Sequence, residues 1–309
     1  MKNFIFLLFL SFFTTSLFSQ RIIELAYNQD AQGNINFSCT NHGWCNYILQ
    51  IDFTSLANAK ADHALPFQAE VKPGINKLFK LSRENTNDPI QFKYKINYFS
   101  GCLNPVVDTG FTYLLPIAPG KEAQAYELQE VVRAAPGEPD PKNAYTIRLR
   151  MKPGDTLYAA RRGRVVEVDT RDSLNDAGAT VTGSWNYIEI CHADCSFGRY
   201  GVLRKNGAFV KPGQFVEAGD PIGIVGGDRF GRGSDGRFSV FYNLTEEDAQ
   251  TGGKIYLAYV PLRFWTKKNG KGMLKHGATY ISEFPDAVII KEMSKAEQLK
   301  WKAKHKAKK

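Results

Sequence analysis

The sequence predicts an all-β protein of two domains, a small antiparallel sandwich followed by a larger antiparallel sheet, with helix confined to a basic C-terminal tail. Three observations carry that expectation. Apolar residues alternate with period two through the first third, a series of short apolar runs punctuated by glycine fills the second half, and a proline-rich break separates the two. The 309 residues, 43% of them hydrophobic, suffice for two cores of ordinary size.

Taken in order, residues 1–19 read as a signal peptide: Lys2, an unbroken apolar stretch from Phe4 to Leu10, a Ser/Thr-rich continuation and a small residue at Ser19. The stretch is too short for a comfortable membrane span and no other window approaches one, so the expectation is an exported protein, periplasmic or extracellular, with no transmembrane segment. In residues 20–118, Tyr47, Leu49, Ile51 and Phe53 share one strand face, and Ile90, Phe92, Tyr94, Ile96 and Tyr98 share another. Turn signals at Asp30–Gly33, Lys72–Ile75 and Asn87–Pro89 separate such runs. Strands of this length and spacing predict an immunoglobulin-like β-sandwich. Residues 119–143 form a Pro/Gly-rich connector, since the prolines of "RAAPGEPDPKN" (133–143) exclude a helix. A second β domain, residues 144–268, is built from "YTIRLRM", "GRVVEVD", "NYIEIC", "FVKPGQFVEAGDPIGIVGG" and "RFSVFYNL". Residues 269–309 are a C-terminal extension with a short basic helix or tail.

The net charge of +9 belongs mostly to the ends. Residues 291–309 carry eight Lys against two Glu, Lys2 leaves with the signal, and the body retains only +2, which argues against nucleic acid as a partner. The tail reads as a solvated, solubilising segment, with an electrostatic hold on an anionic envelope surface as the functional alternative.

In the second domain the order Gly154-Asp-Thr-Leu-Tyr-Ala-Ala, Gly163-Arg-Val-Val, Asn186-Tyr-Ile-Glu-Ile and Val210-Lys-Pro-Gly213 through Gly219-Asp-Pro-Ile-Gly223 describes tight turns between short strands. This order resembles the core of the lysostaphin/LytM-like zinc metalloendopeptidases (duplicated hybrid motif), secreted enzymes that cut peptide cross-links in peptidoglycan. It implies a LytM-type antiparallel β-sheet or barrel over about residues 144–243. The neighbouring "YLLPIAPGKE" and "VPLRFWTKKNG" resemble flanks of family members that carry an N-terminal β-domain. Biotinyl and lipoyl carriers use a similar glycine-bounded hairpin, but they need a lysine at its tip, and "VGGDRFGRG" has none.

The resemblance also states what chemistry to look for. The family holds zinc with a histidine, an aspartate and the second histidine of an H-x-H pair, while that pair's first histidine and one in a YxHL strand serve the attacking water and carbonyl. Three protein ligands and one open position are what a catalytic zinc needs. Here the aspartate's position falls on Arg148, a permanent cation, and no histidine occurs between His63 and His192 to serve as first ligand. The YxHL strand reads Tyr200-Gly201-Val202-Leu203, and the H-x-H strand reads Phe238-Ser239-Val240. Strand alternation would put Phe238, Val240 and Tyr242 on the face that looks into the metal site. The expectation is a packed apolar surface with no catalytic residue, no metal and no cofactor. Asp155 and Glu189 are expected as surface carboxylates. The arginines at 148, 229, 232 and 237, with Tyr200 and Tyr242, suggest a binding groove for an anionic partner or the carboxylates of a stem peptide.

Five cysteines, Cys39, Cys45, Cys102, Cys191 and Cys195, fall outside the signal. In an oxidising compartment the short spacings suggest disulfides Cys39–Cys45 and Cys191–Cys195, with Cys102 as an alternative partner for Cys39 or Cys45. A closed site of Cys39, His42, Cys45, Cys191, His192 and Cys195 is the metal alternative. His192 itself falls on a family histidine that binds no zinc, and reads as structural.

Together these features predict an exported, catalytically inactive relative of a peptidoglycan endopeptidase, binding peptidoglycan or regulating a cell-wall hydrolase. An active zinc metalloendopeptidase and a purely structural envelope module are the alternatives.

Overall fold

The computed structural model describes residues 21–128, 141–171, 186–226, 234–246 and 254–306. The expected signal peptide, most of the proline-rich stretch, and Arg229 and Arg232 of the expected groove lie outside the described residues. The chain is all-β, and among the described residues the one extended helix, Lys295–Lys306, lies in the basic tail. Among the described residues no helix is long and apolar enough to cross a membrane.

The N-terminal lobe is an immunoglobulin-like sandwich. One sheet runs Ile23–Gln29, Ile35–Asn41, Gly74–Ser82, Lys60–Ala61, and it faces a second that runs Phe67–Val71, Tyr47–Ala57, Gln91–Ser100. Period-two alternation puts Ile35, Phe37 and Cys39 of one sheet against Leu49, Ile51 and Phe67 of the other. The Phe37 ring stacks on Phe79 at 4.7 Å and meets Phe53, Phe92 and Tyr94 edge-on.

The second lobe is built on a nine-stranded sheet. Its order is Phe215–Val216, Gly163–Asp169, Tyr187–Cys191, Phe197–Gly201, Ser234–Glu246, Thr146–Met151, Glu122–Leu128 and Thr279–Ile281, with Lys254–Tyr259 pairing the far half of Ser234–Glu246. A small sheet, Thr156–Tyr158, Pro221–Val225 and Leu203–Ala208, lies beside it, and in a third Gly270–Gly272 pairs Arg263–Thr266. The predicted runs "GRVVEVD" and "NYIEIC" coincide with Gly163–Asp169 and Tyr187–Cys191 and are adjacent in the sheet. Four strands of this lobe fall outside residues 144–268, Gly270–Gly272 and Thr279–Ile281 on the C-terminal side and two on the N-terminal side. Glu122–Leu128, within the expected connector, is a member of the large sheet. Thr112–Leu114, within the stretch expected as sandwich, runs parallel to Arg263–Thr266.

Gly163 shows why a glycine stands at the start of its strand. A Cβ there would lie 2.4 Å from the Cys191 carbonyl oxygen on the neighbouring strand, a contact that only a backbone shift relieves. Gly163→Ala is expected to destabilise the fold by about 1–3 kcal/mol, as overpacking does. A fall in the urea midpoint with an unchanged slope would register it.

Alternation gives the large sheet two distinct faces. On one side Phe238 sits opposite Tyr200 and Ile147, Val240 opposite Gly198, and Ile188 and Ile190 continue the row. On the other side lie Arg237 beside Arg148, Ser239 beside Arg199, Phe241 beside Phe197, and Glu189 and Cys191. The sandwich docks on this second face. Asn243 donates to the Ser100 carbonyl at 2.5 Å, Gly101 abuts Phe197 and Asn243, Trp44 lies against Gly213, and Cys45 is buried in the second lobe's core.

The tail closes against the same lobe. Ser294 and Glu297 cap the helix Lys295–Lys306 reciprocally, each accepting the other's backbone N–H, at 3.3 and 2.7 Å. Glu297 then binds Arg162 at 2.8 Å. The acidic first turn is anchored, and Lys295, Lys300, Lys302 and Lys304 are exposed.

Candidate functional site

Three of the positions singled out by the sequence meet in the second lobe's interior. Phe238 is 1% exposed and Val240 fully buried, and the Phe238 ring lies 4.7 Å from Tyr200, 5.9 Å from Tyr113 and 6.1 Å from Phe264. Tyr113 and Phe264 come from the two flanking strands that pair in parallel, in register with each other. They fill the space over the strand where a metal would need an open coordination position. Val202, also buried, sits between strands with φ of 67°, a left-handed conformation that costs a β-branched residue about 1–3 kcal/mol. Its carbonyl accepts the Gly226 N–H at 2.8 Å, which ties the turn to the small sheet.

Arg148 does not belong to this cluster. It pairs across the ladder with Arg237, on the opposite face from Phe238 and Val240. Its guanidinium lies 4.4 Å over the Tyr126 ring and 3.7 Å from Asp235. The expected groove is corrected accordingly. Arg148 and Arg237 are neighbours on one face, Tyr200 is buried beneath the other with its hydroxyl accepting the Ala160 N–H at 2.8 Å, and half-buried Tyr242 packs against the core on the side of Phe238. A sheet two side chains thick separates them, so these residues line no common groove.

Glu189 also departs from expectation. It is buried rather than superficial and accepts two bonds from Arg199, at 2.8 and 3.0 Å, while the guanidinium lies over Tyr187 and Phe241. Burial pushes this carboxyl above the usual range, against the opposing pull of Arg199. Asp155 is half-buried, bound to Lys121 at 2.6 Å and capping the Lys152 N–H at 2.9 Å.

His192 lies on the Phe238 side, where Gly198 leaves room for its ring. Its Nδ1 donates to the Arg162 carbonyl at 2.8 Å. Burial, and then the charge of Arg161, press its pKa down to about 3, so the ring stays neutral and serves as packing rather than as a proton carrier. Arg161 centres a buried polar cluster with Asp194 and Glu292. Arg161, its side chain 2% exposed, donates to Asp194 at 2.9 Å and to both oxygens of Glu292 at 2.5 and 3.0 Å, with its guanidinium 4.1 Å over the Phe111 ring. The turn after His192 is thereby tied to the segment preceding the C-terminal helix.

The cysteines pair differently from the short-turn expectation. Cys102 and Cys195 form the disulfide, with α-carbons 5.8 Å apart, and Cys39, Cys45 and Cys191 are free thiols. Cys39 cannot reach Cys45, because it points into the sandwich core while Cys45 is buried in the second core. Cys191 sits on a strand facing Phe197, and Cys195, at φ of 62° in the turn, is directed across the seam to Cys102. The six-residue metal alternative is dispersed too: His42 contacts Glu24 at 3.2 Å, and His192 and Cys191 lie on opposite faces. Among the described residues no three metal-ligating side chains converge. Zinc does not fit the residues at the inherited position, which offers it an aromatic ring and two aliphatic side chains in a filled interior.

Sequence reasoning missed Tyr113, Phe264, Arg161 and Glu292. The first two stand inside "YLLPIAPGKE" and "VPLRFWTKKNG", recognisable as flanks, yet nothing in either stretch says what it covers.

Residues 142–249 match the model of peptidase family M23. Among solved structures, the catalytic domain of the antimicrobial peptidase lysostaphin from Staphylococcus simulans is 19% identical, covering 47% of this chain and 89% of its own, at a TM-score of 0.26. A zinc-containing peptidase from Vibrio cholerae is 17% identical over 71% of this chain and 75% of its own, at 0.29. Csd3 from Helicobacter pylori is 13% identical over 92% and 84%, at 0.30. No curated protein matches the chain.

Proposed function

Because residues 142–249 of this chain belong to peptidase family M23, we propose that the protein is an exported, catalytically silent member that works in the bacterial cell envelope by binding peptidoglycan. The observation that carries this reading is the burial of Phe238 under Tyr113 and Phe264, with Val240 fully buried two residues on, at the strand where the family's H-x-H pair would stand. A hydrolytic metal site needs imidazole and carboxylate ligands around one open position, and this interior supplies neither the ligands nor the opening. The scaffold remains, and a scaffold without its chemistry acts through contact. Arg148 and Arg150 lie at 4.4 and 5.6 Å over Tyr126 on the face opposite Phe238, a cationic and aromatic cluster suited to the carboxylates of a stem peptide.

The test is sedimentation with purified sacculi, followed by analysis of the soluble fraction and of bound metal. The expected result is co-sedimentation that weakens with salt, no released muropeptides and no stoichiometric zinc. Chelator-sensitive release with one zinc per chain would establish an active peptidase. Failure to bind sacculi, with a hydrolase recovered on the protein instead, would move the role to regulation of that enzyme. Failure of both would leave a structural module.

A further inference from the structure

Four of the five cysteines gather at the seam between the two lobes, two from each side. Cys102–Cys195 is one covalent bond across it. Cys45 and Cys191 lie beside that bond: Cys45 is buried in the second lobe's core, Cys191 packs against the same core, and the Cys191 thiol donates to the His192 carbonyl at 3.6 Å. The backbone explains the juxtaposition. Asn46, next to Cys45, accepts the Gly101 N–H at 2.7 Å through its carbonyl, and its side chain reaches the Cys102 sulfur at 3.4 Å. On the other lobe Cys191 pairs across the ladder with Phe197, two residues beyond Cys195, and the His192–Ser196 turn is closed by its own backbone bonds. Residues 45 and 102 thus form one edge of the seam and residues 191 and 195 the other. Cys39 stands apart, 1% exposed in the sandwich core.

We propose that Cys45 and Cys191 are a second disulfide site across the seam, closed by exchange with a low-molecular-weight disulfide such as oxidised glutathione. A thiolate of one cysteine attacks the external disulfide, forms a mixed disulfide and releases one small thiolate. The second protein sulfur then attacks the first, forms the Cys45–Cys191 bond and releases the other. Two protein thiols lose two protons and two electrons in all, and the external disulfide is reduced to two thiols. Docking controls the reaction. In the closed seam the Cys45 side chain, and then burial, hold the Cys191 thiol protonated, so exchange proceeds while the lobes are coming together and is suppressed once they have met. The inference is independent of the peptidoglycan reading.

The experiment is thiol counting on the mature full-length protein. The reduced, unfolded chain is refolded in the presence of oxidised glutathione so that the lobes meet while exchange is possible, then denatured, alkylated with a maleimide and weighed, and digested without reduction and mapped. The expected product carries one adduct, at Cys39, and yields the linked peptides Cys45–Cys191 and Cys102–Cys195. Cys45→Ser should raise the count to two, at Cys39 and Cys191, and leave Cys102–Cys195 closed. If that variant does not accumulate, Cys191→Ser gives the same count at Cys39 and Cys45. Three adducts on a wild-type chain whose Cys102–Cys195 bond is closed would overturn the proposal, as would a map showing Cys45–Cys102 and Cys191–Cys195.

Discussion

Arg161→Met is expected to destabilise the protein by about 3–5 kcal/mol, the characteristic cost of removing one partner from a buried ion pair. The loss comes less from the bonds that disappear than from what stays behind. Asp194 and Glu292, with side chains 13% and 20% exposed, would keep their charges in a poorly hydrated seam without the guanidinium that now meets both. Arg161→Lys should recover little, because a point charge cannot bridge two carboxylates and lie flat on the Phe111 ring as the planar fork does. Adding Asp194→Asn and Glu292→Gln to Arg161→Met should restore much of the loss if uncompensated charge is its origin, and urea midpoints of the series decide the matter. Acid adds a second readout. Burial alone would raise the Asp194 carboxyl, but the charge of Arg161 and the Ser196 hydrogen bond outweigh it and hold it below its ordinary 3.8. A carboxyl depressed in the folded state contributes stability that is complete above its unfolded pKa and is lost as the pH falls through the folded one. The gap between wild type and Arg161→Met should therefore narrow below about pH 4. A variant within 1 kcal/mol of wild type at neutral pH would refute the assignment.

Phe238→Ala should cost a similar amount, about 3–5 kcal/mol, because it empties a ring-sized volume enclosed by Tyr200, Tyr113 and Phe264. The more telling variant is Phe238→His, which restores the side chain that the family would place there. An imidazole is smaller than the ring it replaces, leaves part of that volume empty and buries two nitrogens among Tyr113, Tyr200 and Phe264, so it should destabilise too. Neither it nor the double variant Phe238→His/Val240→His should bind zinc, since Tyr113 and Phe264 fill the space over Phe238 and no three metal-ligating side chains converge among the described residues. Metal analysis after dialysis against zinc, alongside thermal unfolding, reads both effects. Stoichiometric zinc in the double variant would mean that the filled interior opens readily, against the geometry described.

The readability of this chain from its residues tracks how local each determinant is. Strands such as Gly163–Asp169 and Tyr187–Cys191 were legible because alternation and turn glycines act within a few residues. The expectation that Val202, Phe238 and Val240 stand at ligand positions rests on aligned short motifs, and the structure adds that all three residues are buried. Glu189 was misjudged because alternation separates two faces without saying that both are covered; an antiparallel sheet often leaves one face to water, and here the sandwich covers it. Arg148 was misassigned because the spacing back from Gly154 does not say which face the residue takes. The disulfide escaped for a related reason. Spacing favoured Cys191 with Cys195, whereas the actual bond joins residues 93 apart in sequence. Tyr113 and Phe264 contact Phe238 only through long-range packing, which no window of sequence contains.

The parallel pairing of Thr112–Leu114 with Arg263–Thr266 has a consequence for autonomy. The family-matched segment ends before one of these strands and begins after the other, so residues 142–249 excised alone would present Phe238 and its neighbours as a bare greasy face. The smallest piece able to stand by itself must run at least from the first of these strands to the second. That ladder joins stretches about 150 residues apart in the chain, so it belongs to the late, slow stage of folding, after the intervening hairpins have formed. Until it closes, the sheet is a surface open to other chains, and chaperone demand in this protein should centre on that interval.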